Sequence, residues 1–170
     1  ALKGLKKVLV KEQPGLVLVQ GDTTTSMAAA LASFYLHIPV GHVEAGLRTY
    51  DKGQPFPEEI NRRLASVLAD FHFAPTSWAA DNLIREKIPK EKIWVTGNPV
   101  VDTLLKIAVG FKKKPVREAL EDYFRDRWDL NLSALSSAGR CKLILITGHR
   151  RENFGPGFRE ICLALREIAR

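Results

Sequence analysis

Short apolar runs alternate with polar turns and helix-period segments along this chain, and that alternation limits it to one fold class. Leu16-Val17-Leu18-Val19 has no polar position, as expected of a strand covered on both faces. The polar turn Gly21-Asp22-Thr23-Thr24-Thr25 follows, and then Met27, Leu31, Phe34 and Ile38 recur at helical spacing until Pro39. Val40–Val43 predicts a second strand. A loop from Ala45 to Pro57 leads to a helix opened by Pro57-Glu58-Glu59, with Ile60, Leu64, Val67 and Leu68 as its expected buried stripe. Phe71–Ala74 and Ile93–Thr96 predict further strands. Between them lies a helix capped by Thr76 or Ser77.

Past Asn98-Pro99 the pattern predicts a helix through Val100, Val101, Leu104, Leu105 and Ala108. A second is expected from Pro115 to about Trp128. Lys142–Thr147 reads as a strongly apolar strand, followed by a polar turn to Gly155. A final helix carries Phe158, Ile161, Cys162, Leu165 and Ile168 on one stripe, and a helix end precedes everything at Leu2–Val10. Repeated strand–turn–helix units imply a parallel sheet with right-handed crossovers, so the fold class is α/β, doubly wound.

Composition narrows the class further. At 45% hydrophobic residues the chain is not disordered. No apolar run reaches the roughly 18 residues of a membrane span, and the opening residues do not read as a signal peptide. The net charge of +7 lies mostly after Gly97. It admits nucleic acid, a membrane surface or an anionic small substrate. The Lys112-Lys113-Lys114 cluster lacks interleaved aromatics and reads as solvated surface. Cys141 and Cys162 form no CxxC and read as buried free thiols in a reducing cytoplasm. The sequence opens on Ala1 and stops at Arg170 in mid-helix, which reads as a piece of a longer protein.

Ligands of open parallel sheets bind beyond the carboxyl ends of the strands. Three turns there are chemically rich. In Gly21-Asp22-Thr23-Thr24-Thr25-Ser26 the hydroxyls and helix N–H groups can hold an anion or a sugar hydroxyl. The competing reading is simple N-capping by Asp22 or a threonine. In His42-Val43-Glu44-Ala45-Gly46-Leu47-Arg48, His42 and Glu44 would share one strand face. Glu44 there either takes part in chemistry or pairs with Arg48. In His149-Arg150-Arg151-Glu152-Asn153, two arginines and a histidine would clamp a phosphate, unless the turn is merely solvated. Glu58 and Glu59 either serve chemistry or favour the helix dipole. His37 and His72 read as structural. A metal centre from Asp22, His42, Glu44 and His149 lacks any short ligand spacing, and none is expected.

Together GDTTTS, HVEAGLRT, PEEINRR, TGNPVVDTLL and TGHRRENFG resemble, in order and spacing, the non-hydrolysing UDP-N-acetylglucosamine 2-epimerases of bacteria. The resemblance covers nearly the whole chain. It implies a glycosyltransferase-B-like fold of two Rossmann-like domains facing each other across a cleft, both incomplete here. Residues 1–96 would be most of the first domain, lacking its first strands, and 97–170 the beginning of the second, nucleotide-binding domain.

The resemblance also implies cytoplasmic homodimers that need no metal or nicotinamide cofactor. They interconvert UDP-N-acetylglucosamine and UDP-N-acetylmannosamine for surface polysaccharides. By that match Asp22, Glu44, Glu58 and His149 are the expected catalytic residues. Thr23, Thr24, Arg48, Arg150, Arg151, Glu152 and Asn153 are the expected substrate contacts. Neither nucleic acid nor a membrane is an expected partner. This chain alone is expected to be inactive, because most of the substrate-binding wall is missing. A hydrolysing relative and a nucleotide- or nucleic-acid-binding module are the competing readings.

Overall fold

The computed structural model describes residues 1–132, 144–147 and 154–168. The chain divides into two compact units, Ala1–Asn98 and Pro99–Arg170. The first is built from α1 (Leu2–Glu12), β1 (Val17–Gln20), α2 (Thr24–Tyr35), β2 (Val40–Val43), α3 (Glu58–Leu68), β3 (Phe71–Ala74), α4 (Ser77–Arg85), a 3-10 turn (Lys90–Lys92) and β4 (Ile93–Val95). The four strands form one parallel sheet in the order β1-β2-β3-β4.

That order has a direct consequence. Right-handed crossovers between successive neighbours place every connecting helix on the same face. The helix-covered face carries Val17, Val19, Val40, His42, His72, Ala74 and Ile93, all buried or half-buried, with Val95 exposed on the edge strand. The other face carries Leu18, Val43, Phe71, Phe73 and Trp94, and Leu18 is 61% exposed. Strand β1 was expected to be covered on both sides. Among the described residues it is covered on one, because the reversal of strand order that winds a sheet doubly is not within these four strands.

Two helices pack with a different face from the expected one. In α2 the buried residues are Ser26, Ala28, Ala30, Ala32 and Ser33, and Phe34 points outward. Small side chains let this helix approach its neighbours closely. In α3 the buried residues are Glu59, Asn61, Ala65 and Ser66. Of the predicted stripe, Leu68 packs against the Val19, Ala30 and Val40 cluster, while Ile60 is 36%, Leu64 45% and Val67 81% exposed. The polar side turns inward because it makes specific bonds there, described below.

Caps and turns follow the sequence signals closely. Thr23 caps α2 by accepting from the Ser26 N–H, and Thr76 caps α4 by accepting from the Ala79 N–H. Gly46 has φ +87°, and a Cβ there would stand 2.1 Å from the Ala79 carbonyl oxygen. Only glycine lets α4 sit this close to the turn after β2. Asn82 closes the same junction by donating Nδ2–H to the Gly46 carbonyl at 2.9 Å.

In the second unit the described elements are α5 (Pro99–Phe111), α6 (Lys114–Trp128) and α7 (Pro156–Ile168). None of these helices has a buried residue among those described. Cys162, expected to be buried, is therefore exposed on α7. Of the strand expected at Lys142–Thr147, residues 144–147 are described and are exposed non-strand backbone, while 142 and 143 lie outside the described residues. Cys141 also lies outside them. Among the described residues no helix is long and apolar enough to cross a membrane.

Candidate active site

The carboxyl ends of β1 and β2 are neighbours in the sheet, with Gln20 in register with Val43. Each strand is followed at once by an acidic turn. After β1, Gly21 takes φ +70° and donates its N–H to the Val43 carbonyl at 3.0 Å. Asp22 follows, then the cap Thr23. After β2, Glu44 itself takes φ +65°. A non-glycine residue in the left-handed region is uncommon and costs on the order of 1–3 kcal/mol, and Gln13, His37, Tyr50, Lys87 and Asp129 adopt it here as well. This turn also removes Glu44 from the strand, so it does not share a face with His42 as the sequence reading expected. Its carboxylate instead lies over Gly21, with Oε2 3.4 Å from where a Gly21 Cβ would stand. The turns bearing Asp22 and Glu44 are thus brought together.

Helix α3 is tied to the same place. Its first turn holds Glu58 and Glu59. Glu59 is fully buried and accepts the Thr49 and Tyr50 backbone N–H groups, each at 3.1 Å. It therefore fixes the loop between β2 and α3. Arg62, one turn further on, pairs with the Asp22 carboxylate through Nη2 and with Glu59 through Nη1 at 3.7 Å. Asn61 donates Nδ2–H to Thr24 Oγ1 at 3.4 Å. The Nε–H of Arg62 is buried with no acceptor among the described residues, an arrangement that costs about 1–3 kcal/mol. Glu58 is half-buried, one residue before the anchored Glu59.

His42 underlies the whole arrangement. It is fully buried on β2 and its Nε2–H donates to the Gly21 carbonyl at 2.9 Å. Burial pushes its pKa down to about 4, against the pull of the Gly21 bond; His72 and Arg48 lower it further, and Asp22 raises it. The ring is therefore neutral near pH 7, and Nδ1 has no partner among the described residues.

Arg48 is placed differently from expectation. Its side chain is buried, and it does not pair with Glu44. It makes two 2.8 Å bonds to the Glu86 carboxylate and donates to Ser66 Oγ at 3.0 Å and to the Leu47 carbonyl at 2.8 Å. These bonds hold the Glu86 carboxyl below its ordinary pKa. Four protein bonds leave the guanidinium little capacity for a substrate, so its work is to lock the turn after β2 onto α4. Sequence reasoning missed Glu59, Arg62 and Glu86 as partners. The motif PEEINRR held two of them, but the i, i+3 spacing of Glu59 and Arg62 was the only signal. His72, read as structural, is buried between the Ser66 and Lys92 carbonyls. His149, Arg150, Arg151, Glu152 and Asn153 lie outside the described residues. Among the described residues no group of three His, Cys, Asp or Glu side chains is placed to hold a metal ion.

The sequence profile of the UDP-N-acetylglucosamine 2-epimerase family matches residues 1–170. The chain belongs to that family. The UDP-N-acetylglucosamine 2-epimerase of Salmonella typhimurium is 50% identical over 169 residues, which are 99% of this chain and 42% of that protein. The enzyme of the same name from Escherichia coli is 48% identical, again over 99% of this chain and 42% of its own length. Among solved structures, UDP-GlcNAc 2-epimerase from Neisseria meningitidis bound to UDP-GlcNAc superposes with a TM-score of 0.89 at 47% identity, covering 99% of this chain and 43% of that one. The S. aureus MnaA-UDP co-structure gives 0.78 at 42% identity, covering 98% of this chain and 41% of that one. The α/β class with a parallel sheet and its glycosyltransferase-B type agree with the expected fold. The chain spans a little over two-fifths of the length of the relatives it matches.

Proposed function

We propose that these residues belong to a cytoplasmic, homodimeric enzyme that inverts C2 of UDP-N-acetylglucosamine to give UDP-N-acetylmannosamine. The observation that carries the reading is the meeting of the Asp22 and Glu44 turns at the ends of adjacent parallel strands, with the Glu58 end of α3 tethered to the same point. The C2 proton is not next to a carbonyl and is only weakly acidic. Elimination solves this: a carboxylate takes the C2 proton, the C1–C2 double bond forms, and the C1–O bond breaks to release UDP. Re-addition of UDP at C1 with protonation of C2 from the opposite face gives the epimer. Inversion needs a proton acceptor and a proton donor on opposite sides of the ring, which favours a pair of carboxyl groups, and three come from three different elements here. His149, Arg150 and Arg151 would meet the charge growing on the departing phosphate. Thr23 and Thr24, with Glu152 and Asn153, would complete the substrate contacts. Arg48 supports the Glu44 turn and does not touch the sugar nucleotide.

The full-length protein in D2O with UDP-N-acetylglucosamine tests this. Deuterium is expected at C2 together with the manno epimer, and absence of both rejects the proposal. Free UDP accumulating with every turnover would point instead to a hydrolysing enzyme. The 170-residue chain by itself is expected to be inactive. The homodimer has its own support in the outward-facing apolar stripe Ile60, Leu64 and Val67 of α3.

A further inference from the structure

Arg62 and Glu59 have no part in the chemistry just described, yet Arg62 is paired with Asp22, which does. Arg62 spans two carboxylates of unequal freedom. Glu59 is immobilised: its side chain is wholly buried, and both of its oxygens accept backbone N–H groups from Thr49 and Tyr50. Asp22 is partly open, with a side chain 31% exposed. Its Oδ2 is the atom held by Arg62, and the pair leaves Oδ1 outside that bond. The Arg62 side chain is 11% exposed, and its Nη1 lies in a 3.7 Å ion pair with the immobilised Glu59. The unspent Nε–H means that the cation is not placed where its hydrogen bonding is best satisfied.

We infer that Arg62 is the positioning residue for Asp22: it pins Oδ2 through a guanidinium anchored on Glu59, and so presents Oδ1 to the sugar in one orientation. The inference rests on the reading of Asp22 as a catalytic carboxylate. A planar guanidinium suits the task, because it fixes direction as well as charge, and the flexible ammonium of lysine keeps the charge alone. Asn61 adds to the effect by fixing Thr24, two residues beyond Asp22, to the same helix.

The test uses the full-length enzyme, with Arg62→Ala, Arg62→Lys and Asp22→Asn, and measures kcat, KM and the folded fraction by circular dichroism. For R62A, kcat per folded site should fall by about 100-fold, the loss expected when a catalytic group shifts by an ångström, with KM changed by no more than about threefold. R62K should recover part of kcat, because charge is restored without direction. A purely structural bridge would lower the folded fraction and leave kcat per folded site near wild type in both variants; that result overturns the inference. Should R62A fail to fold, R62K alone decides, because wild-type kcat in R62K also overturns it. D22N separates the two levels. An active D22N rejects the reading of Asp22 itself. An inactive D22N beside a fully active R62K rejects only the role of Arg62.

Discussion

His42 shows how one buried side chain couples the sheet to the site. It is neutral because burial disfavours its cation, and the neutral ring donates to the carbonyl that sets the Gly21–Asp22 turn. Its pKa is about 4 in the folded protein and near 6.5 in the unfolded chain. Between those values the unfolded state binds more protons, so stability falls as pH falls through that window. The loss begins near pH 6.5 and is complete below about 4. The groups facing the ring are His72, Arg48 and Asp22. His72 is also shifted down by burial and adds to the same loss below pH 6.5, whereas Glu86, shifted down by Arg48, adds its own loss only below its ordinary value of 4.5. Replacing His42 with Gln should flatten the pH dependence of urea unfolding between pH 7 and pH 5 by about 2 kcal/mol. An unchanged slope would mean that His42 is not the group being titrated.

At the level of elements, much was legible and one thing consistently was not. The strands at Val17–Gln20, Val40–Val43 and Phe71–Ala74 follow from short β-branched or aromatic runs bounded by glycine and proline. The Thr23 and Thr76 caps follow from hydroxyls placed just before helical periods. What periodicity did not reveal is which face of α2 and α3 packs. The spacing of apolar residues shows that a helix has two unlike faces; it does not say what lies against each. In α3 the inward side is Glu59, Asn61, Ala65 and Ser66, because Arg62 and the 49–50 backbone supply partners that make burial of a carboxylate tolerable. Asp22 and Glu44 were legible as site candidates because acidic turns after strands are few. Arg62 was not, since its partner Asp22 lies 40 residues away in sequence. The stripe left outside, Ile60, Leu64 and Val67, has the i, i+4, i+7 spacing of a helix–helix contact. Val67→Asp in the full-length protein should convert a dimer to a monomer in sedimentation, with the monomer's secondary structure intact. A dimer that persists would place the interface elsewhere.

The sheet as a whole is half of a layered fold. Parallel sheets are found buried on both faces, because their strands are apolar on both sides. Here α2, α3 and α4 cover one face, and the order β1-β2-β3-β4 leaves the other to Leu18, Val43, Phe71, Phe73 and Trp94. Gly41 lets this open face close slightly on itself, since a Cβ there would stand 2.6 Å from Leu18 Cδ2 and 3.2 Å from Phe73 Cε2. Trp94 lies with its ring centroid 6.0 Å from Phe71 and 5.8 Å from Phe73. Such a patch is too apolar for a soluble monomer to leave in water. The 170-residue chain expressed alone should therefore bind 8-anilinonaphthalene-1-sulfonate and associate with rising concentration. Leu18→Lys together with Trp94→Lys should weaken both effects, because these two exposed positions put charge on the bare face without touching the covered one. A polypeptide of the relatives' length has chain enough to supply a second layer, and it should show neither effect. A 170-residue chain that stays monomeric and does not bind the dye would mean that the apolar face is already covered from within.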